Sequence, residues 1–118
     1  MKKIFFLILL STTISLAQKK SSLSSTPSSL DTIVLAGGCY WCVEAVYENL
    51  KGVQKVVSGF AGGTVKNPSY EAVSSGTTGA AEVVQITFNK NETNLDEIFK
   101  VFFTVHDPTT LNRQGADV

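Results

Sequence analysis

The stretch Gly37-Gly38-Cys39-Tyr40-Trp41-Cys42-Val43-Glu44 holds the residues of this sequence best suited to chemistry. A cysteine in the first turn of a helix faces unpaired backbone N–H groups and the positive end of the helix dipole, and both favour thiolate over thiol. If a helix starts here, Cys39 is built as a nucleophile. The glycines before it let a second backbone or a substrate approach closely, and Tyr40 and Trp41 offer a wall for a small apolar group. Residues three apart on a helix are near enough to bridge, so Cys39 and Cys42 can cycle between dithiol and disulfide. The same pair also fits a structural disulfide or two packing residues, although so short a loop removes little entropy from the unfolded chain. Zinc is set aside, because two cysteines and the single His106 fall short of four protein ligands, and no metal site is expected. His106 itself ends the last expected helix, where a cation suits the dipole, and reads as structural. Glu82 follows Thr77-Thr78-Gly79-Ala80-Ala81 and opens a strand; by pattern alone it is an exposed strand-end carboxylate.

The elements that must position these residues follow from hydrophobic period and punctuation. Thr32 to Ala36 is a short apolar run closed by Gly37-Gly38, which predicts a buried strand ending in a tight turn. Val43, Val46, Tyr47 and Leu50 recur at helical spacing before Gly52, predicting a helix from about Tyr40 to Leu50 with Cys39 at its start. Val53 to Phe60 reads as a second strand closed by Gly62-Gly63, and Asn67-Pro68-Ser69 precedes a short helix carrying Tyr70. Val84, Ile86 and Phe88 alternate with Val83, Gln85 and Thr87 as a third strand. Asn94 and Glu97 form a capping-box-like start for a helix lined by Leu95, Ile98, Phe99 and Phe102, and Pro108 stops it. The order β-α-β-α-β-α in so short a chain predicts an α+β fold, a two-layer α/β sandwich with a ferredoxin-like β-α-β core and a mixed sheet.

The chain has 118 residues, 43% hydrophobic and 17% charged, enough for one compact core. Ten basic residues balance ten acidic ones, so there is no electrostatic footprint for nucleic acid or an anionic membrane. Met1-Lys2-Lys3, the apolar run Ile4 to Leu10 and the small residues around Ser15-Leu16-Ala17 have the form of a secretory signal peptide over residues 1–17, with cleavage before Gln18. The apolar run is well short of the roughly 20 residues that span a bilayer. Export to the periplasm or beyond is therefore expected, into a compartment that oxidises thiols. Residues 18–31 are Ser/Lys-rich and read as a disordered linker before a single domain over residues 32–118.

A resemblance now adds to this reading. Gly38-Cys39-Tyr40-Trp41-Cys42, Gly59-Phe60-Ala61-Gly62-Gly63, Asn67-Pro68-Ser69-Tyr70, Thr78-Gly79-Ala80-Ala81-Glu82-Val83-Val84, and His106-Asp107-Pro108-Thr109 with Asn112-Arg113-Gln114-Gly115 closely resemble the A-type peptide-methionine sulfoxide reductases, in unbroken order from about Ile33 to Val118. Ordered motifs at compatible spacing are far more specific than any one of them. The resemblance implies that Cys39 attacks the sulfoxide sulfur and that Tyr40 and Trp41 receive the substrate methyl group. It further implies that Tyr70 and Glu82 bind the sulfoxide oxygen, with Glu82 as proton donor, and that Asp117 is an acidic residue of the same site. Family members of this type act on the S epimer at sulfur.

The implied chemistry is thiol-dependent repair of oxidised methionine, free or in proteins. A sulfoxide oxygen leaves only when protonated, and a carboxyl group in a partly apolar pocket can supply the proton. Cys39 becomes a sulfenic acid, Cys42 is the expected resolving thiol, and an external dithiol, a thioredoxin-like protein, opens the resulting disulfide. No cofactor beyond that reductant and no oligomer is expected. Three positions depart from the family pattern: Tyr40 for phenylalanine, Cys42 for the glycine of many members, and Ala80 for the histidine usual beside Glu82. The family pattern continues past Val118 with a Gly-Thr-Gln-Tyr-Arg-like segment, so a C-terminally incomplete domain is expected, without the second substrate tyrosine. Two rival readings remain. A strand followed by Cys-x-x-Cys also suits a thioredoxin-like dithiol oxidoreductase, although neither Pro68 nor Pro108 sits where that fold wants its cis-proline. An inactive truncated relic that binds oxidised peptides through Tyr40 and Trp41 is the non-enzymatic alternative.

Overall fold

A computed structural model describes residues 28–115. The expected signal peptide, most of the expected linker, and Asp117 lie outside the described residues. The element order is β1 (Leu30–Leu35), α1 (Tyr40–Tyr47), β2 (Val53–Gly62), α2 (Tyr70–Ser74), β3 (Ala80–Asn89) and α3 (Leu95–Val105). The six expected elements are all present, in the expected order.

The strands form one three-stranded sheet in the order β1-β3-β2. Both outer strands run antiparallel to β3, and therefore parallel to each other, with α1 crossing between them. This is the split β-α-β core of an α+β sandwich. Alternation along β3 sets the layers: Val84, Ile86 and Phe88 are buried beneath the helices, whereas Gln85 is exposed on the opposite face beside the exposed Val34 and Val57. The core joins these three β3 residues to Leu35 from β1, Val43 and Tyr47 from α1, and Ile98 and Phe102 from α3. Burying a side chain such as Ile98 contributes about 1.5–3 kcal/mol. Tyr47 is fully buried, and its hydroxyl donates to the Ile98 carbonyl at 2.8 Å, which ties α1 to α3 without leaving a buried polar group unpaired.

Boundaries differ from expectation where the ladder extends them. β1 starts at Leu30, because Leu30 and Asp31 pair with Asn89 and Phe88 and the Lys90 N–H donates to the Ser29 carbonyl at 2.7 Å. Leu30 and Asp31, assigned to the linker on composition, are thus strand residues. β3 starts at Ala80, so Glu82 lies inside the strand and not at its opening. α1 ends at Tyr47, a turn before Leu50, and the chain reaches β2 through Gly52 at φ +86, where a side chain would meet Thr93. Asn94 caps α3 by accepting the Glu97 N–H at 3.0 Å; Glu97 itself reaches Lys100 at 2.6 Å and does not close the reciprocal half of a capping box.

Candidate active site

The approach to α1 is shaped by two glycines. Gly38 takes φ +82, which a side chain would strain, and a Cβ on Gly37 would lie 3.2 Å from Val43 and 3.3 Å from Phe102. They turn the chain out of β1 so that Cys39 becomes the N-cap of α1, at φ −52 and ψ 109. Its carbonyl accepts the N–H groups of Cys42 and Val43 at 3.1 and 3.2 Å, but its side chain makes no capping hydrogen bond. The sulfur is therefore not engaged in holding the helix.

That capping task falls to Glu82. Its Oε2 accepts the backbone N–H of Tyr40, the first residue of α1, at 2.9 Å. A carboxylate from β3 thus satisfies one of the helix's open donors and complements its dipole. It is placed there by strand parity, since Glu82 points to the same side of the sheet as Val84 and Ile86. The strand-end reading of Glu82 as an exposed carboxylate gives way to a half-buried one bonded to the residue after Cys39.

Phe60 is the direct cross-strand partner of Glu82, and it supports an aromatic platform that sequence reasoning had only in part. Tyr40 stacks on Phe60 with ring centroids 5.6 Å apart, on Trp41 at 5.5 Å and on Tyr70 at 6.4 Å. Trp41 and Tyr70 lie 5.8 Å apart and only 9° from parallel, with Trp41 63% exposed. Offset stacking of this kind favours the arrangement beyond the area it buries. Phe60 belongs to the motif Gly59-Phe60-Ala61-Gly62-Gly63, but its place under Tyr40 depends on the β2–β3 register, which pairing alone reveals. Tyr70, some thirty residues further along the chain, is brought against the adjacent pair Tyr40 and Trp41. Loss of hydration, followed by the negative charge of Glu82, holds the Tyr40 phenol above its usual pKa.

Both cysteines are free thiols, Cys39 half-buried and Cys42 exposed. The Cys42 thiol is pushed up from its usual pKa, first by its hydrogen bond with Cys39 and next by charge at Cys39.

A cleft of about 580 Å³ opens on this side of the sheet, lined by Gly38, Tyr70, Glu82, His106, Arg113 and Gln114 among others. Glu82 and Tyr70 thus join the cleft to the platform. His106 stacks on Phe102 at 4.7 Å as the C-cap of α3, and its Nδ1 is buried with no hydrogen-bond partner among the described residues. Gln114 accepts the Asp107 N–H at 3.0 Å and lines the cleft with Arg113, which holds part of the segment after α3 against it. Among the described residues, no group of three or more His, Cys, Asp or Glu side chains is placed to hold a metal ion.

Comparison with known proteins bears on the same residues. Residues 31–118 match the family model described as peptide methionine sulfoxide reductase. The chain is 56% identical over 89 residues to the peptide methionine sulfoxide reductase MsrA of Trichodesmium erythraeum, an alignment covering 75% of this chain and 50% of that protein. It is 50% identical over 105 residues to the MsrA of Deinococcus radiodurans, covering 88% of this chain and 51% of the relative. Among solved structures, methionine sulfoxide reductase A of Corynebacterium diphtheriae superposes with a TM-score of 0.72 at 34% identity, over 80% of this chain and 44% of that one. The chain spans about half the length of the curated relatives it matches. With a family model matched over residues 31–118 and a fold shared with a solved member, the chain belongs to the peptide methionine sulfoxide reductase family.

Proposed function

We propose that this chain reduces methionine S-sulfoxide, free or within oxidised proteins, to methionine, with Cys39 as nucleophile. The observation that carries this reading is the hydrogen bond from Tyr40 N–H to Glu82 Oε2, which fixes a carboxyl group one residue from the thiol. A substrate methyl group rests against Tyr40 and Trp41, while Tyr70 and Glu82 face the sulfoxide oxygen. Cys39 attacks the sulfur as Glu82 gives a proton to that oxygen; the hydroxyl then passes to Cys39 Sγ as the substrate's sulfur–oxygen bond and the new sulfur–sulfur bond break, which releases methionine and leaves Cys39 as sulfenic acid. Cys42 then condenses with the sulfenic acid, releasing water and forming the Cys39-Cys42 disulfide. An external dithiol, a thioredoxin-like protein, supplies the two electrons that reopen it. The reaction so written uses no resident metal or organic cofactor, the working unit is a monomer, and Asp117 is an acidic residue for substrate binding. The Lys-flanked apolar start supports delivery by export, with repair of oxidised proteins outside the cytoplasm as the role.

The test is to incubate the reduced chain with excess dithiothreitol and resolved S and R epimers of a blocked methionine sulfoxide, and to quantify methionine by chromatography. Reduction of the S epimer alone, abolished in Cys39→Ser, is the expected result. Failure on both epimers, with saturable binding of the sulfoxide retained, would establish the chain as a binding relic of the family.

A further inference from the structure

Two free thiols at one helix start can serve a second chemistry, because thiolate sulfur is a soft metal donor. Cys39 is the N-cap of α1 and Cys42 is its third residue, the two positions whose side chains reach toward each other across the first turn of a helix. The Cys42 N–H donates to the Cys39 carbonyl at 3.1 Å, which closes that turn. Cys39 is half-buried and Cys42 exposed, so an ion has access from the Cys42 side.

The shortage of ligands that rules out zinc rules out only ions that need four. The chain has one histidine, His106, and its ring is stacked on Phe102. Among the described residues, no His, Cys, Asp or Glu makes a group of three with the two cysteines. A donor set of two soft sulfurs fits a closed-shell monovalent cation, which thiolates select and which two ligands in line satisfy; among biological metals that ion is Cu(I). Its complex with two thiolates carries one net negative charge. The N-terminal end of α1 favours such a charge, and Glu82, by taking the Tyr40 N–H, leaves the next donor, the Trp41 N–H, without a partner among the described residues.

We propose that Cys39 and Cys42 of the reduced chain hold one Cu(I) ion between their sulfurs, and that the bound ion keeps Cys39 from attacking a sulfoxide. The first half stands on the thiols alone; the second rests on the function proposed above. Binding exchanges two S–H bonds for two Cu–S bonds and releases two protons, with no electron transferred. Copper and oxidised methionine then compete for one sulfur, since the ion takes the Cys39 lone pair that the attack requires. It also takes the thiol proposed to resolve the sulfenic acid.

The experiment titrates the reduced chain, without oxygen, into the coloured Cu(I) complex of bicinchoninate. The expected result is removal of one Cu(I) per chain, with X-ray absorption showing two sulfur neighbours and no nitrogen or oxygen. Because Cys42 is exposed, Cys42→Ser should keep the fold, which circular dichroism checks, and should weaken binding by more than the about 10–100-fold that changes around a metal's ligands cost. Failure to remove the ion, equally tight binding by Cys42→Ser, or a third ligand in the absorption spectrum overturns the site. Competition is read separately, in a single turnover without added reductant: the metal-free chain should give one methionine per chain from the S epimer, and the Cu(I)-loaded chain none. Equal yields overturn the competition. A chain that binds Cu(I) through both cysteines yet reduces neither epimer when metal-free supports the site and sinks the catalytic reading alone.

Discussion

Glu82 caps the helix that Cys39 begins: a carboxylate oxygen on β3 holds the Tyr40 N–H at 2.9 Å across 42 residues of sequence. One side chain thus stabilises the start of α1 and lines the cleft where the proposed reaction calls for a proton. The two tasks are separable by substitution. Glu82→Gln keeps an oxygen acceptor for the Tyr40 N–H but loses the charge and has no proton to give, so the expected outcome is a loss of about 0.5 kcal/mol in stability with sulfoxide reduction lowered about 10²–10⁴-fold. Glu82→Ala loses both, and circular dichroism should show an additional loss of about 1 kcal/mol in stability. Equal activity in wild type and Glu82→Gln would remove Glu82 from the chemistry.

Phe60 supports the face on which the substrate methyl group is proposed to rest. Phe60→Ala removes the ring stacked on Tyr40, and since Phe60 is only half-buried the expected loss is about 1–2 kcal/mol, below that of a fully buried aromatic. Steady-state kinetics should show KM rising more than kcat falls. Phe60→Leu should recover the stability but not the KM.

Tyr47 gives the fold an alkaline limit. Burial pushes its phenol from 10.0 to about 12. The unfolded chain therefore loses this proton first, and stability present below pH 10 is lost as pH rises through about 12. Urea midpoints measured across this window should fall with pH, and Tyr47→Phe should flatten the fall. The same variant should cost about 1 kcal/mol at neutral pH by deleting the hydrogen bond to Ile98.

Two glycines with the same backbone angle separate conformational strain from steric contact. Gly63 and Gly76 both lie at φ +73, but a Cβ on Gly63 would stand 2.5 Å from the Thr78 carbonyl, whereas one on Gly76 meets nothing within 4 Å. Gly76→Ala should cost about 1 kcal/mol. Gly63→Ala should cost more than about 2 kcal/mol, because the ends of β2 and β3 must separate. Thermal denaturation of both variants checks the difference, and equal shifts would mean that β2 and β3 yield freely at this end.

What the sequence disclosed was what short-range pattern encodes. The buried alternation of Val84, Ile86 and Phe88, the cap at Asn94 and the helix start at Cys39 are local signals, and each is present in the fold. The β1-β3-β2 order and the pairing of Phe60 with Glu82 are set by contacts far apart along the chain, which hydrophobic period does not carry. For this reason pattern alone reads Glu82 as a strand-end carboxylate, the resemblance alone gives it a role, and its hydrogen bond to Tyr40 and its pairing with Phe60 are visible only in the fold. The start of β1 was placed late because Leu30 and Asp31 are exposed, and ladder pairing, not burial, makes them strand. The position of Asp117 in the site lies outside the described residues.

The middle position of β3 also governs when this site can exist. β1 and β2 share no ladder hydrogen bond, so a nascent or partly refolded chain that has made β1, α1 and β2 has nothing yet to join them into a sheet. The oxygen that caps α1 arrives on the same late strand. Until then Cys39 and Cys42 are thiols on an uncapped segment of eight helical residues, too short to persist alone in water. The reactive centre is therefore switched on by strand insertion, and an oxidising surrounding that met the chain before that moment would find two unremarkable cysteines open to any partner.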